Sequence, residues 1–231
     1  MWSALEEAGA ARFPGASGRI PNFTGAEAAA ELLRSLDAWE RAGTLKANPD
    51  SPQWPVRQRA LEDGKTVFMA VPRLAEEEPF LRLDPAALGT TARKASSIKG
   101  AAAHGAKAAL ADLQPVDLVV VGSVAVDEGG ARLGKGGGFS DLELAVATEV
   151  GLIGEETAVV TTVHESQVVP PGRIPLTPHD VKLDLIVTPA RVIKCRPDRA
   201  RPASIDWHEL TPEKISAIPV LARLHAQLAR S

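Results

Sequence analysis

The sequence predicts an α/β protein with a sheet covered by helices on both faces. Three observations carry this expectation. Asp117–Gly122 reads Asp-Leu-Val-Val-Val-Gly, an apolar run without alternation, as expected of a parallel strand buried on both sides. Similar short β-branched runs recur at Thr66–Val71 and Ala158–Val163. Stretches with helical spacing lie between them, and that order belongs to layered α/β architecture.

Taken in order, the first twelve residues predict a short helix, and Arg12–Phe23 is broken by Pro14, Gly15, Gly18 and Pro21. Thr24 with Glu27 three residues on reads as a capping box ahead of Ala28, Leu32 and Leu33. Thr44–Ala47 reads as a short strand closed by the turn Asn48-Pro49-Asp50-Ser51-Pro52. A helix over Val56–Asp63 stops at Gly64, and strands follow at Thr66–Val71 and Phe80–Leu83. The Ala-rich stretch Thr91–Ala111 reads as one helix interrupted near Gly100 or Gly105. Beyond the strand at Asp117–Gly122, Ser123–Asp127 extends or follows it. A helix is expected over Phe139–Val150, with strands at Ala158–Val163, Leu183–Val187 and Val192–Lys194. The tail from Pro212 to Ala229 reads as a helix bent at Pro219. No internal repeat is visible. The basic, Pro-containing stretch Arg196–Pro202 is the best linker, so residues 1–195 are expected to form the main domain and 196–231 a helical extension.

Composition narrows the function classes. The 231 residues are 45% hydrophobic and 24% charged, within the globular range, which excludes disorder for most of the chain. Cys195 is the sole cysteine, so a disulfide within the chain and a cysteine-based zinc or iron–sulfur site are excluded. The net charge of −3 lacks the basic excess that non-specific nucleic-acid binding requires. No run of 18 apolar residues would span a membrane, and Met1–Glu7 does not have the form of a signal peptide. No partnership with nucleic acid or membrane is expected, and the expected setting is cytoplasmic, as a monomer or homodimer.

One segment stands out as chemistry. Arg132-Leu133-Gly134-Lys135-Gly136-Gly137-Gly138-Phe139-Ser140-Asp141 leads straight into a predicted helix. Glycines let successive backbone amides face one point, and the first N–H groups of a helix lack internal partners. A loop of this kind suits phosphate, with Lys135 and Arg132 adding positive charge. The bland alternative is a flexible surface loop. The dinucleotide pattern fails because Phe139 takes the last glycine position, and Gly64-Lys65-Thr66 lacks both the first glycine and the following helix of a P-loop. Asp141 either complements the helix dipole or holds Mg²⁺ beside phosphates, since Mg²⁺ needs only one or two carboxylates. Asp180 could supply a second, and Asp184 lies inside a strand, where a structural role is the simpler reading. His164 ends a strand, where a hydrogen-bonded structural histidine is the simpler reading.

The glycine segment resembles that of the 5-formyltetrahydrofolate cyclo-ligase family, which carries R-L-G-x-G-G-G-Y-Y-D-R after a strand. The blocks Thr162–Val169 and His179–Pro189 resemble the family's later segments in order and spacing. Arg12-Phe13-Pro14, Gly18–Phe23, Asn48–Gln53 and Gly64–Val67 resemble its divergent methenyltetrahydrofolate synthetase domain-containing branch. The resemblance implies the three-layer fold shared with sugar-phosphate isomerases and CoA transferases. It also implies an enzyme using ATP and Mg²⁺ to close 5-formyltetrahydrofolate, a reduced folate, into 5,10-methenyltetrahydrofolate, releasing ADP and phosphate. On that basis Lys135 and Asp141 are the expected catalytic residues. Arg19, Arg132, Gly134, Lys135, Gly136, Gly137, Gly138, Phe139 and Ser140 would bind nucleotide, and Asp141 and Asp180 the metal. The family's two tyrosines and final arginine are Phe139, Ser140 and Leu142 here. Those departures keep two rivals in view. One is a non-catalytic nucleotide- or folate-binding protein, and the other an enzyme of the same fold acting on another substrate.

Overall fold

The structure is a computed structural model that describes residues 1–71, 74–136, 138–177, 180–195 and 205–228. Helices α1 (Trp2–Glu7), α2 (Ala26–Arg34) and α3 (Asp37–Arg41) precede strand β1 (Thr44–Ala47). Helix α4 (Trp54–Glu62) leads to β2 (Thr66–Ala70) and β3 (Phe80–Leu83), then α5 (Ala92–Ala95), α6 (Ile98–His104) and β4 (Ala106–Ala108). Strands β5 (Leu118–Val121), β6 (Ala125–Asp127) and β7 (Arg132–Leu133) come before α7 (Phe139–Glu149). The chain closes with β8 (Ala158–Thr162), β9 (Val168–Val169), β10 (Leu185–Val187), β11 (Val192–Lys194), α8 (Pro212–Ala217) and α9 (Pro219–Leu228).

Eight strands form the main sheet in the order β11-β10-β8-β5-β1-β2-β3-β4. The five from β10 to β2 run parallel, and antiparallel strands close both edges. Alternate residues of a strand face opposite sides, so each central strand feeds two cores. Leu118 and Val120 enter one core with Ala29, Leu33, Val56 and Ala60 of α2 and α4. Val119 and Val121 enter the other with Leu144, Val146 and Ala147 of α7. The three-layer arrangement is therefore as the sequence predicts. Ile205, Ile218, Val220 and Leu221 of the tail sit in that second core, while the expected linker at 196–202 lies outside the described residues. Among the described residues no helix is long and apolar enough to cross a membrane.

Several local expectations are corrected. Thr24 does not cap α2. Its hydroxyl takes the Arg12 side chain, and Gly25 precedes the helix. Thr91–Ala111 is not one helix. It divides into α5 and α6, each opened by a capping hydroxyl from Thr91 or Ser97, and then turns into the edge strand β4. The predicted tail helix is broken rather than bent, because Pro219 starts α9 as a separate helix. Residues 125–127 belong to a second sheet, ordered β7-β6-β9, that the sequence did not reveal. Its strands are two or three residues long, too short to show a period.

Sheet order also fixes where a ligand can go. From β1 the chain steps to β2 on one side, whereas β5, β8 and β10 build outward on the other. The crevice at the carboxyl ends of β1 and β5 is therefore the topological switch point, where open α/β sheets bind ligands.

Candidate functional site

Asn48, Pro49 and Asp50 leave the carboxyl end of β1 and line a cavity of about 470 Å³. Its other walls include Gly18 and Ile20 from the N-terminal arm, and Arg132, Lys135, Asp141 and Glu143 from the segment between β7 and α7. Gly122 follows β5 in a tight spot, where a Cβ would meet Asp50 Oδ2 at 2.9 Å and Ile20 at 3.0 Å and force those side chains to shift.

Two glycines of the segment take up backbone that favours glycine. Gly136 and Gly138 have φ of +90° and +65°, a region that other residues enter only with strain. Gly138 is the residue before α7, so the helix's unpartnered N–H groups open beside the cavity. Arg132 is buried, gives Nη1 to Gly122 O at 3.1 Å, and pairs through Nη2 with Asp141 Oδ1. Lys135 is half exposed, with Nζ 3.8 Å from Asp50 Oδ1.

Of the residues singled out from the sequence, Arg132, Gly134, Lys135, Gly138, Phe139, Ser140 and Asp141 line this one cavity. Gly136 lies between them on the exposed loop, and Gly137 lies outside the described residues. The other two positions differ from expectation. Arg19 is exposed and turns its Nε to Ser17 O, although its neighbours Gly18 and Ile20 reach the cavity. The Asp180 Oδ2 takes the Thr177 N–H at 2.6 Å, and Asp180 is not among the residues that line the cavity with Asp141. Among the described residues no group of three His, Cys, Asp or Glu side chains is placed to hold a metal. The donor set at Asp141 fits Mg²⁺ that arrives on phosphate oxygens and is steadied by one carboxylate. His164 is hydrogen-bonded within its own turn, with Nδ1 3.0 Å from Ser166 Oγ.

Five residues of the site were missed. Asp50 is largely buried, and desolvation pushes its carboxyl above the ordinary value of 3.8 against the opposing pull of Lys135 and Arg57. Arg57 lies beneath the loop, fully buried, and donates to the carbonyls of Asn48, Pro49, Asp50 and Ser96. Burial pulls its guanidinium down to about 10. Lys46 points from β1 toward α7 and gives Nζ to Glu143 Oε2 at 2.6 Å, with both side chains buried. Two residues along, Asn48 Nδ2 donates to Ser140 Oγ at 2.9 Å. A lysine inside a strand of buried residues and a glutamate among the apolar positions of α7 were the available signals.

Comparison with known proteins places these features. The sequence model of the 5-formyltetrahydrofolate cyclo-ligase family matches residues 7–189. Methenyltetrahydrofolate synthase domain-containing proteins are similar over nearly the whole chain. The one from Bos taurus is 40% identical over 98% of this chain and 60% of its own length. The one from Homo sapiens is 37% identical over the same shares. This chain thus spans about three fifths of the length of the curated relatives it matches. Among solved structures, the NMR structure of 5,10-methenyltetrahydrofolate synthetase from Aquifex aeolicus superimposes with a TM-score of 0.52. It is 22% identical and covers 80% of this chain and 88% of that one, a likeness of fold.

Proposed function

The chain belongs to the 5-formyltetrahydrofolate cyclo-ligase family, and from that premise we propose that it cyclises 5-formyltetrahydrofolate to 5,10-methenyltetrahydrofolate at the expense of ATP. The observation that carries the reading is the meeting of the glycine segment, a helix N-terminus and buried polar side chains in one cavity at the switch point.

The chemistry asks for little covalent work from the protein. The formyl oxygen on N5 is a poor leaving group, and accepting the γ-phosphoryl of ATP makes it a good one. N10 then attacks the formyl carbon and gives up its proton, and the oxygen departs as phosphate. Phosphoryl transfer of this kind depends mainly on positioning and charge stabilisation. The loop amides and Lys135 would hold the phosphates. Asp141 would steady Mg²⁺, which supplies charge neutralisation at the phosphates when bound. The departures from the family pattern have local accounts. Ser140 uses its hydroxyl on Asn48, Leu142 is buried in the core beneath α7, and Phe139 keeps an aromatic ring at the cavity.

The binding-only reading draws on one observation, the pairing of Arg132 with Asp141, which occupies both a cation and the acid expected to serve ATP. Absorbance-monitored formation of methenyltetrahydrofolate, with and without Mg-ATP, decides between them. ATP-dependent product is the expected result. ATP binding without product would select the binder, and turnover of another substrate without ATP would select a different enzyme of this fold. Asp141→Asn should abolish most turnover. Because Arg132 is buried beside it, the variant should also lose about 1–3 kcal/mol of stability, more than a surface dipole contact contributes. Unchanged turnover in a folded variant would remove Asp141 from the mechanism.

A further inference from the structure

Glu143 lines the cavity but has no task in phosphate binding, since a carboxylate repels phosphate. It is 5% exposed, and its Oε2 is taken by Lys46. Among the described residues no donor reaches its Oε1. Beside it on the same strand–helix wall, Asn48 is 3% exposed, gives its Nδ2 to Ser140, and leaves a buried Oδ1 with no partner. Buried acceptors are nearly always satisfied, so the open Asn48 Oδ1, with the Glu143 carboxylate lining the same cavity beside it, marks a place for a ligand's donors. Lys46 balances the charge of Glu143 and fixes its rotamer, which preserves an acceptor in a site too dry to hold a lone carboxylate.

Resting on the function proposed above, we propose that Glu143, positioned by Lys46 and aided by Asn48, is the specificity-determining residue that accepts hydrogen bonds from the amino-pyrimidinone edge of the reduced pterin. That edge presents N3–H and the 2-amino group side by side, two donors with no acceptor between them. The adenine of ATP sets its amino group next to the acceptor N1, which would face the open oxygens unfavourably. The cavity is thus divided by chemistry. Amides and Lys135 serve anions, and the wall formed by the ends of β1 and α7 serves N–H donors.

The test is calorimetric titration of the chain with 5-formyltetrahydrofolate and with its 2-desamino-2-methyl analogue, alongside Mg-ATP. Wild type should bind the analogue about 10- to 100-fold more weakly than the parent compound, the range of one charge-assisted hydrogen bond. Removing one member of a buried ion pair strands the other, so the informative variant is Lys46→Met with Glu143→Met. It should bind the parent weakly, no longer distinguish the analogue, and bind Mg-ATP as wild type does. Equal binding of parent and analogue by wild type overturns the assignment and needs no variant. A folded double variant that still discriminates also overturns it, because the edge is then read elsewhere. If wild type binds Mg-ATP and neither folate, the proposed function falls and takes this assignment with it.

Discussion

Asp50 and Arg57 show how burial turns ordinary residues into site components. Desolvation raises the Asp50 carboxyl above 3.8, so the native chain binds that proton more tightly than the unfolded chain. The penalty is absent below the unfolded value, grows as pH rises through the window up to the native value, and is complete above it. Asp50→Asn should therefore melt at a higher temperature than wild type in mildly alkaline buffer, and the advantage should vanish below pH 3.8. A melting difference that does not change with pH would refute this account. Arg57 has the opposite character. Four backbone carbonyls satisfy its guanidinium. Arg57→Met takes the donor from those carbonyls, of which Asp50 O still has the Gln53 N–H, and should cost about 3–5 kcal/mol in chemical denaturation. A loss under ~1 kcal/mol would mean that the 48–50 loop repacks without it.

At the scale of elements, the segment from β7 into α7 is the unit that matters. One of its glycines and the glycine after β5 are needed for different reasons, and substitutions should separate them. Gly138 sits at φ +65° with open space where a Cβ would go, so Gly138→Ala costs only backbone strain, about 1–2 kcal/mol. Its larger effect should appear in Mg-ATP affinity, because the loop's amides would turn. Gly122 follows β5 in tight contact with Asp50 and Ile20 and holds Arg132 through its carbonyl, so Gly122→Ala should weaken both ligands, whereas Gly138→Ala should weaken Mg-ATP more than folate. Titrations of both variants with both ligands check this, and equal losses of the two ligands in Gly138→Ala would refute it. The glycine segment was legible because a run of glycines before a helical pattern has one well-understood use. Lys46, Asn48, Asp50 and Glu143 were not, because their role depends on β1 lying against α7 across about a hundred residues of chain. Sequence spacing carries no trace of that contact.

For the whole molecule, the parallel strands were legible because both of their faces are buried and their composition shows it. The small second sheet and the edge strand β4 were not, because their pairing is decided by neighbours rather than by local pattern. The C-terminal helices are part of the second core and not an appendage to it. Leu221 is fully buried there, so Leu221→Ala should cost about 2–5 kcal/mol by denaturant unfolding. A loss below ~1 kcal/mol would mean that the tail contributes little to the fold. Because the sheet separates the two cores, Leu221→Ala and Leu33→Ala should add in the double variant to within about 0.5 kcal/mol.

The lysine within β1 also acts as a registration key for assembly. Side chains of a strand alternate, so a slip of one residue would turn Lys46 into the apolar cluster beneath α2 and α4, away from Glu143. It would also tear Asn48 from Ser140. A mispaired central strand would thus bury a bare ammonium, a fault large enough to undo itself before the outer strands could add to it.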